Sequence, residues 1–314
     1  MNKSDEKIKR LIEISKLYYE QDKTQSEIAN LYQVSRPLIS RMLKEAKEMG
    51  IVHIEICQPS DGNQIILNQV RNAYHIFGGV IAPNKSNENM TNESLITSSL
   101  EYMKSLHQKN YGIGWGGIIG HLISTMEKSE VNEGFSQKVC PLVGNSGVSN
   151  RNYHSNELVR IFAERTNSQP NYLYAPALAA TEQELRQIKE LENYKVVFDE
   201  WSHLDVALVN IGNYPSTPDF ASVARYGEML KKRKAVGRLL NYYFDLKGDI
   251  LYSDMDYAIQ IPLELLARTQ HVVGIAGANI HCKALLGAMR TGIFQHIIAP
   301  ENQTKEALEI EQNS

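Results

Sequence analysis

Apolar residues recur with a helical period through the first fifty positions and change to short blocks afterwards. Ile8, Leu11, Ile12, Ile14, Ser15, Leu17, Tyr18 and Tyr19 mark one side of an amphipathic helix. From Thr24 to Lys47 the chain reads as two more helices joined by a tight turn. Thr24 and Glu27 have the Thr-x-x-Glu spacing of a capping box, which starts the first of the pair, and Ile28, Ala29 and Leu31 supply its apolar side. Val34 is the buried residue of the turn and Ser35 caps the second helix. Pro37 falls in the first turn of that helix, where its missing N–H costs nothing. Leu38, Ile39, Met42 and Leu43 make an apolar face; Arg36, Ser40, Arg41, Lys44 and Lys47 lie opposite. Gly50 suits the position just past a helix end, and Ile51–Ile56 alternates like an exposed strand.

Residues 57–63, with Pro, Ser, Asp and Gly, predict a linker. An apolar-periodic helix follows over Ile65–Phe77, placed to act as a hinge or an oligomer contact. From Gly78 onward, short apolar runs ending in glycine or proline predict strands: Gly79–Pro83, Tyr111–Gly114, Val139–Gly144, Tyr172–Pro176, Val206–Gly212, His271–Gly277 and His296–Pro300. Helical patterns lie between them, over Leu95–Lys109, Gly117–Met126, Asn156–Thr166, Glu182–Leu191, Tyr257–Arg268 and Cys282–Arg290. Buried strands alternating with helices predict an α/β domain with a doubly wound parallel sheet covered on both faces. The expected organisation is a winged helix-turn-helix over 1–56, the linker, and a larger domain over 64–314.

Composition changes this picture little. Apolar residues make up 42% and charged residues 22% of 314, ordinary for a folded soluble chain. There is no apolar run of about 18 residues to span a membrane, and no apolar core of a signal peptide near the start. Cys57, Cys140 and Cys282 are far apart and lack metal-ligand spacing. A cytoplasmic protein without a cofactor is expected.

Charge changes it more. The net charge is −3, yet residues 1–50 hold ten Lys/Arg against eight Asp/Glu, and Arg36–Lys47 holds four cations against one anion. A local positive field on one short helix suits a reader of the DNA major groove; a helical hairpin with a solvated charged face is the plainer alternative. Arg36, Ser40 and Arg41 would face base edges. Thr24, Gln25, Ser35 and Lys44 would hold phosphates, with Pro37 opening the reading helix. The run Lys231-Lys232-Arg233-Lys234 reads as a solvated helix end.

In a parallel sheet, ligands bind beyond the carboxyl ends of the strands, where glycine lets backbone N–H groups approach. Gly112-Ile-Gly-Trp-Gly-Gly117 follows a strand and opens a helix, with Gly114, Gly116 and Gly117 as close-approach positions. The same glycines would serve a plain tight turn, and neither a Walker spacing nor a clean dinucleotide fingerprint is present. Asn156 and Asp245, polar among hydrophobic neighbours, would bind sugar hydroxyls or close turns. His281 and Lys283 are candidates for a phosphate or hydroxyl contact near the start of the helix after Gly277.

Taken in order, these segments resemble the SorC/DeoR-type bacterial sugar-responsive transcriptional regulators along essentially the whole chain. The resemblance rests on Thr24-Gln-Ser-Glu-Ile-Ala29, Val34-Ser-Arg36 and Ile39-Ser-Arg-Met-Leu43, then on Gly112-Ile-Gly-Trp-Gly116, Pro141-Leu-Val-Gly144 and His154-Ser-Asn-Glu157. It continues through Ala175-Pro-Ala177, Asp205–Gly212, Phe244-Asp-Leu-Lys-Gly248, Gly274-Ile-Ala-Gly277 and Ala288-Met-Arg-Thr-Gly292. It implies a winged-helix DNA reader joined to an effector domain similar to the ribose-phosphate isomerase and glucosamine-phosphate deaminase fold. Such a domain binds a sugar, polyol or sugar phosphate, and the protein acts as a dimer or tetramer on double-stranded operator DNA. Trp115 and Gly212 join the effector set through the matched motifs. One departure concerns His281, which stands where the family usually has a lysine; an imidazole is only partly charged near neutral pH. The segment Asn213–Phe220 looks particular to a subgroup. Regulators of hexitol or ketose operons are the nearest within the family.

A sugar-phosphate isomerase or deaminase with an accessory DNA-binding domain is the competing expectation. It needs a base near C1 or C2 of the sugar, for which Asp205, Asp245 and His281 are the candidates.

Overall fold

The capping box at the start of the second helix forms as its spacing predicts. The Thr24 hydroxyl accepts the Glu27 N–H at 3.3 Å, and the Glu27 carboxylate accepts the Thr24 N–H at 2.8 Å. The computed structural model describes residues 3–19, 21, 23–49, 51–52, 61–128, 135–216 and 225–312. Its first compact unit, Met1–Ser60, contains α1 (Lys3–Tyr19), α2 (Gln25–Leu31) and α3 (Arg36–Glu48). Ile14 of α1, Ile28 and Ala29 of α2, and Ile39 and Leu43 of α3 close one small core, with Leu17, Tyr18, Tyr32, Val34 and Met42 packed around it.

Three details depart from expectation here. Leu31 and Leu38 are 63% and 37% exposed, because each falls beside the narrow stripe that so short a helix can bury. Ser35 occupies the N-cap of α3 with extended backbone, yet its side chain makes no capping hydrogen bond. After α3 the chain reverses, and the Ile51 N–H donates to Ala46 O at 2.9 Å, the six-to-one bond of a Schellman closure. Ile51 and Val52 are not in a strand. Gly50 and residues 53–56 of the expected wing lie outside the described residues, as do residues 57–60 of the expected linker.

The second unit, Asp61–Ser314, opens with α4 (Asp61–Tyr74). Residues 61–63, expected as linker, are its first turn. Then follow β1 (Gly78–Ala82), α5 (Glu88–Ser105), β2 (Asn110–Ile113), α6 (Gly117–Lys128), β3 (Lys138–Pro141), α7 (Ser155–Thr166) and β4 (Gln169–Pro170). α8 (Glu182–Glu190) and α9 (Glu192–Ser202) lead to β5 (Val206–Asn213). After α10 (Met229–Lys232) come β6 (Ala235–Leu239), β7 (Tyr242–Asp245) and β8 (Ile250–Leu251). The chain finishes with α11 (Leu263–Arg268), β9 (His271–Ala276), α12 (Cys282–Arg290), β10 (His296–Pro300) and α13 (Glu301–Gln312).

Seven strands form a parallel sheet in the order β1-β10-β9-β5-β2-β3-β4. The connections from β1 to β4 step one way along the sheet, and those from β5 through β9 to β10 step back. With right-handed crossovers, α5, α6 and α7 cover one face, and α9, α11 and α12 the other. Residues 206–209 of β5 and 272–276 of β9 are buried throughout, as strands covered on both faces must be. β2 and β5 are neighbours whose onward connections leave to opposite faces, so their carboxyl ends part and leave a crevice.

Four features of this unit differ from the sequence pattern. β6, β7 and β8 extend the sheet antiparallel from the end of β5, and α9 and α13 add two helices. Tyr172–Pro176 is not a strand of the sheet. From Tyr172 to Tyr174 the backbone bonds to side chains instead: the Asn156 amide takes both backbone groups of Leu173, at 3.0 and 3.1 Å, and Asn193 takes Tyr174 N–H and Tyr172 O, while Ala175 O accepts the Asn145 N–H. The expected helix over Tyr257–Arg268 is confined to Leu263–Arg268. Pro262 disfavours helical backbone at the residue before it, and Ile259 and Ile261 donate to Ala177 O and Leu142 O.

Candidate functional site

Two surfaces carry the candidate chemistry, one in each unit. In the first unit Arg36, Pro37, Ser40, Arg41 and Lys44 are exposed on α3, with Thr24 and Ser35 exposed and Gln25 half-buried at the starts of α2 and α3. Arg36, Ser40 and Lys44 recur every fourth residue and so share a side of the helix. The α3 start faces a hollow of about 550 Å³ lined by Tyr18, Tyr19, Lys23, Thr24, Gln25, Ser26 and Arg36. Lys47 lies over the Tyr19 ring, 5.8 Å from its centroid. The pattern of apolar positions assigned Tyr18 and Tyr19 to the inner side of α1; the structure brings them beside the polar residues of α2 and α3. Lys23 and Ser26 also join this surface, and their nearness to the capping box is the signal that would have found them.

In the second unit the crevice at the carboxyl ends of β2, β5 and β9 encloses a cavity of about 400 Å³. Its walls come from the start of α6 (Gly117, Ile118, His121), the end of β5 and the chain beyond it (Asn210 to Asn213, Pro215, Ser216), and the loop after β9 (Gly277, Asn279, Ile280). Asn92 of α5, Tyr153 and Arg238 of β6 complete it. Gly116 has φ +127, and a side chain there would strike the Asn210 amide at 2.7 Å, so glycine permits both the turn into α6 and the position of Asn210. Burial raises the Tyr153 hydroxyl, with the Arg238 charge acting against it.

The loop after β9 is held by amides. Asn92 Oδ1 accepts the Ala278 N–H at 2.8 Å. Asn213 Oδ1 accepts the His281 N–H at 2.8 Å, and its Nδ2 donates to Asn279 O at 3.0 Å. The cavity is thus built from segments more than a hundred positions apart.

Of the residues singled out from the sequence, Gly117 and Gly212 line this cavity. Gly114 ties the loop to β5 through its N–H to Leu208 O at 2.8 Å. Trp115 is buried behind it, edge-on to Tyr153, and Gly116 shapes the turn. Asn156, Asp245, His281 and Lys283 are not among the lining residues. Asn156 clamps Leu173; Asp245 Oδ1 accepts the N–H groups of Lys247 and Asp249 and closes a turn; His281 is the exposed N-cap of α12, and Lys283 is exposed on that helix. The candidates for an isomerase base are not brought together either. Asp205, at the amino end of β5, accepts the N–H groups of Lys109 and Asn110, at the opposite end of the sheet from His281.

The residues that sequence reasoning missed are Asn92, His121, Tyr153, Asn210, Asn213, Asn279 and Arg238. The usable signal was a lone polar residue inside an apolar run: Asn210 in Val206–Ile211, and Arg238 in Ala235–Leu240. Among the described residues no group of three or more His, Cys, Asp or Glu side chains is placed to hold a metal ion, and no helix is long and apolar enough to cross a membrane.

Residues 61–309 match the Sugar-bind family model, a sugar-binding domain. The chain is 27% identical to the sorbitol operon regulator of Klebsiella pneumoniae, over 98% of this chain and 99% of that protein. It is 26% identical to the deoxyribonucleoside regulator of Bacillus subtilis, over 96% and 98%. The crystal structure of the full-length sorbitol operon regulator SorC from Klebsiella pneumoniae superposes with a TM-score of 0.74 at 25% identity, over 96% of this chain and 98% of that one.

The chain belongs to the SorC family of sugar-responsive transcriptional regulators. As a SorC-family member it is a regulator, and its relatives are regulators and not enzymes. The stretch that matches the sugar-binding model lies within the second unit, Asp61–Ser314.

Proposed function

We propose that this SorC-family regulator binds operator DNA through α3 and is switched by a sugar, polyol or sugar phosphate seated in the crevice beyond β2, β5 and β9. Arg36, Ser40 and Arg41 read base edges, while Thr24, Gln25, Ser35 and Lys44 hold phosphates and Pro37 opens the reading helix. Gly117 and Gly212 contact the effector, and Gly114, Trp115 and Gly116 hold the loop that presents it. One such helix reads only a few base pairs, so the protein acts as a dimer or tetramer on repeated half-sites. It works in the cytoplasm and uses no metal or other cofactor. Its operon handles a hexitol or ketose, a reading supported by its likeness to the sorbitol operon regulator.

The observation that carries the reading is the presence, in one chain, of a cation-faced α3 and a polar cavity at the strand ends of a sugar-binding domain. The ligand shifts DNA binding only through different affinities for the DNA-competent and DNA-incompetent arrangements. Fluorescence anisotropy with DNA from upstream of the chain's own transcription unit, at low salt and with a panel of sugars, polyols and their phosphates, tests it. Sequence-selective binding altered by at least one compound is expected. Indifference to that DNA under every condition would refute it.

A further inference from the structure

The tip of the β6–β7 hairpin is folded inward. Leu239 and Tyr242 pair across it, and the residues between them, Leu240 and Asn241, are 3% and 0% exposed. A turn usually lies at the surface, because a buried one carries backbone groups that bulk solvent cannot reach. Here long side chains meet the backbone of Asn241. Its N–H donates to Gln260 Oε1 at 2.9 Å, and its carbonyl oxygen accepts from Arg225 Nη2 at 2.9 Å.

Arg225 is itself buried. Its Nε and Nη2 donate to Asp256 Oδ1 at 2.9 and 2.6 Å, and the Tyr226 hydroxyl donates to Asp256 Oδ2 at 2.7 Å. The guanidinium lies over the rings of Tyr226 and Tyr243. Its charge is therefore balanced, and one edge of the fork is used. Nη1 is not used, nor is either end of the Asn241 amide: all three atoms are buried with no hydrogen-bond partner among the described residues. Because Nη2 bonds the Asn241 carbonyl, the idle part of the fork and the idle amide belong to one polar patch inside the core. Each buried group left unmet would cost the folding equilibrium about tenfold.

The chemistry left over selects the occupant. Nη1 and Nδ2 offer donors, and Oδ1 offers an acceptor. An anion would meet Oδ1 as well as the donors, and Asp256 already neutralises Arg225. A metal cation would find one amide oxygen and a guanidinium. A water molecule accepts from the nitrogens and donates to the oxygen, and buried waters make about three such bonds. We propose that the patch between Asn241 and Arg225 is a binding site for internal water, which completes the hydrogen bonding of the buried hairpin tip and fixes it to the Arg225–Asp256 pair. β6 also brings Arg238 to the cavity wall, so the water secures the end of a strand that shapes the cavity, whichever ligand that cavity takes.

The test compares the full-length protein with Asn241→Leu and Asn241→Ala, unfolded in urea at one protein concentration. Trp115 and Trp201 both lie in the larger unit, so their fluorescence reports on it. Leucine would exclude the water and strand Nη1, while alanine leaves room for a second water. Asn241→Leu should then be the least stable of the three proteins, with its unfolding constant raised about tenfold to a hundredfold, and Asn241→Ala should lie between it and the parent. In a dry core the order of the variants reverses, since leucine removes an unmet amide and keeps the packing, whereas alanine opens a cavity. Asn241→Leu as stable as Asn241→Ala, or more so, would overturn the proposal. Should either variant not fold, a crystal structure of the parent protein decides. Ordered water within about 3.2 Å of the Asn241 amide and of Arg225 Nη1 is expected. A patch without water, a direct bond between the two side chains, or a halide located there by anomalous scattering after bromide soaking would overturn it.

Discussion

Within the amino-terminal unit, Lys7 of α1 and Glu45 of α3 form an ion pair across 38 positions of sequence. In the larger unit, Tyr74 donates to Glu311 across 237 positions and Asn84 to Gln303 across 219. The first unit closes five buried side chains from three helices by local contacts. The second joins its first strand, β1, to its last, β10. Local closure leaves a small core and an exposed charged helix side, which suits a surface that binds a rigid partner. Long-range closure makes a cavity whose walls are fixed from both faces of a sheet, which suits a small ligand.

The comparison can be broken or sharpened by experiment. Trp201 of α9 is 1% exposed and donates its indole N–H to Pro141 O at 2.8 Å. Trp201→Ala should cost about 3–5 kcal/mol and lower the unfolding midpoint of the larger unit in denaturant. A matching loss of structure in α1 to α3, followed by limited proteolysis, would show that the two units do not fold separately. Ile39→Ala, in the small core, should cost about 2–5 kcal/mol. With so few buried partners, that is expected to abolish DNA binding while effector-induced thermal stabilisation persists; loss of both would contradict the division.

Acid should act on the larger unit through a pair of histidines. At the amino ends of β9 and β10, His296 Nδ1 lies 2.7 Å from the Tyr102 hydroxyl and its Nε2 lies 2.8 Å from His271 Nδ1. Gln108 meets the other nitrogen of His271 at 3.2 Å. Burial, and then the neighbouring His271, push His296 from 6.5 down to about 4. Burial also lowers His271, with Asp205 opposing. The unfolded chain therefore takes up the proton first. The stabilisation is complete above about pH 6.5 and is lost as pH falls towards 4, on the order of 3 kcal/mol for His296. Melting temperature against pH for the parent and for Lys283→Ala, a distant surface control, checks this; a flat profile between those values would reject it. The smallest effect is on recognition. Arg41→Ala should weaken operator binding by about 1–3 kcal/mol and relax base preference at its position, as read by anisotropy on single-base variants of the site. Unchanged affinity and discrimination would remove Arg41 from the reading set.

Legibility in the sequence followed the same division. The capping box of Thr24 and Glu27 needs only four consecutive residues, and Pro37 only its place in a turn, so both were readable directly. The parallel strands were readable because burial on both faces makes continuous apolar runs. Asn156 and Asp245 stood out as polar residues among hydrophobic ones, but whether such a residue meets a ligand or its own backbone depends on partners outside the run. Asn156 turned out to clamp Leu173, and Asp245 to close its own turn. Arg238 was missed because its position follows from an antiparallel register with Gly212, and nothing in Ala235–Leu239 alone announces that ladder. The extended segment over 172–176 was misassigned because proline at 170 and 176 and two asparagine clamps compete with the ladder.

The strand order has a consequence for a chain still being synthesised. β9 and β10, the last strands to leave the ribosome, belong near the middle of the sheet, between β1 and β5. Until they emerge, β1 has no neighbour on the side they fill, and the loop that finishes the cavity does not yet exist. Domains generally fold in the order they appear, so α1 to α3 can close before the chain that completes the cavity has emerged. A chain cut short before His271 would keep α1 to α3 and lack β9, β10 and the loop that completes the cavity.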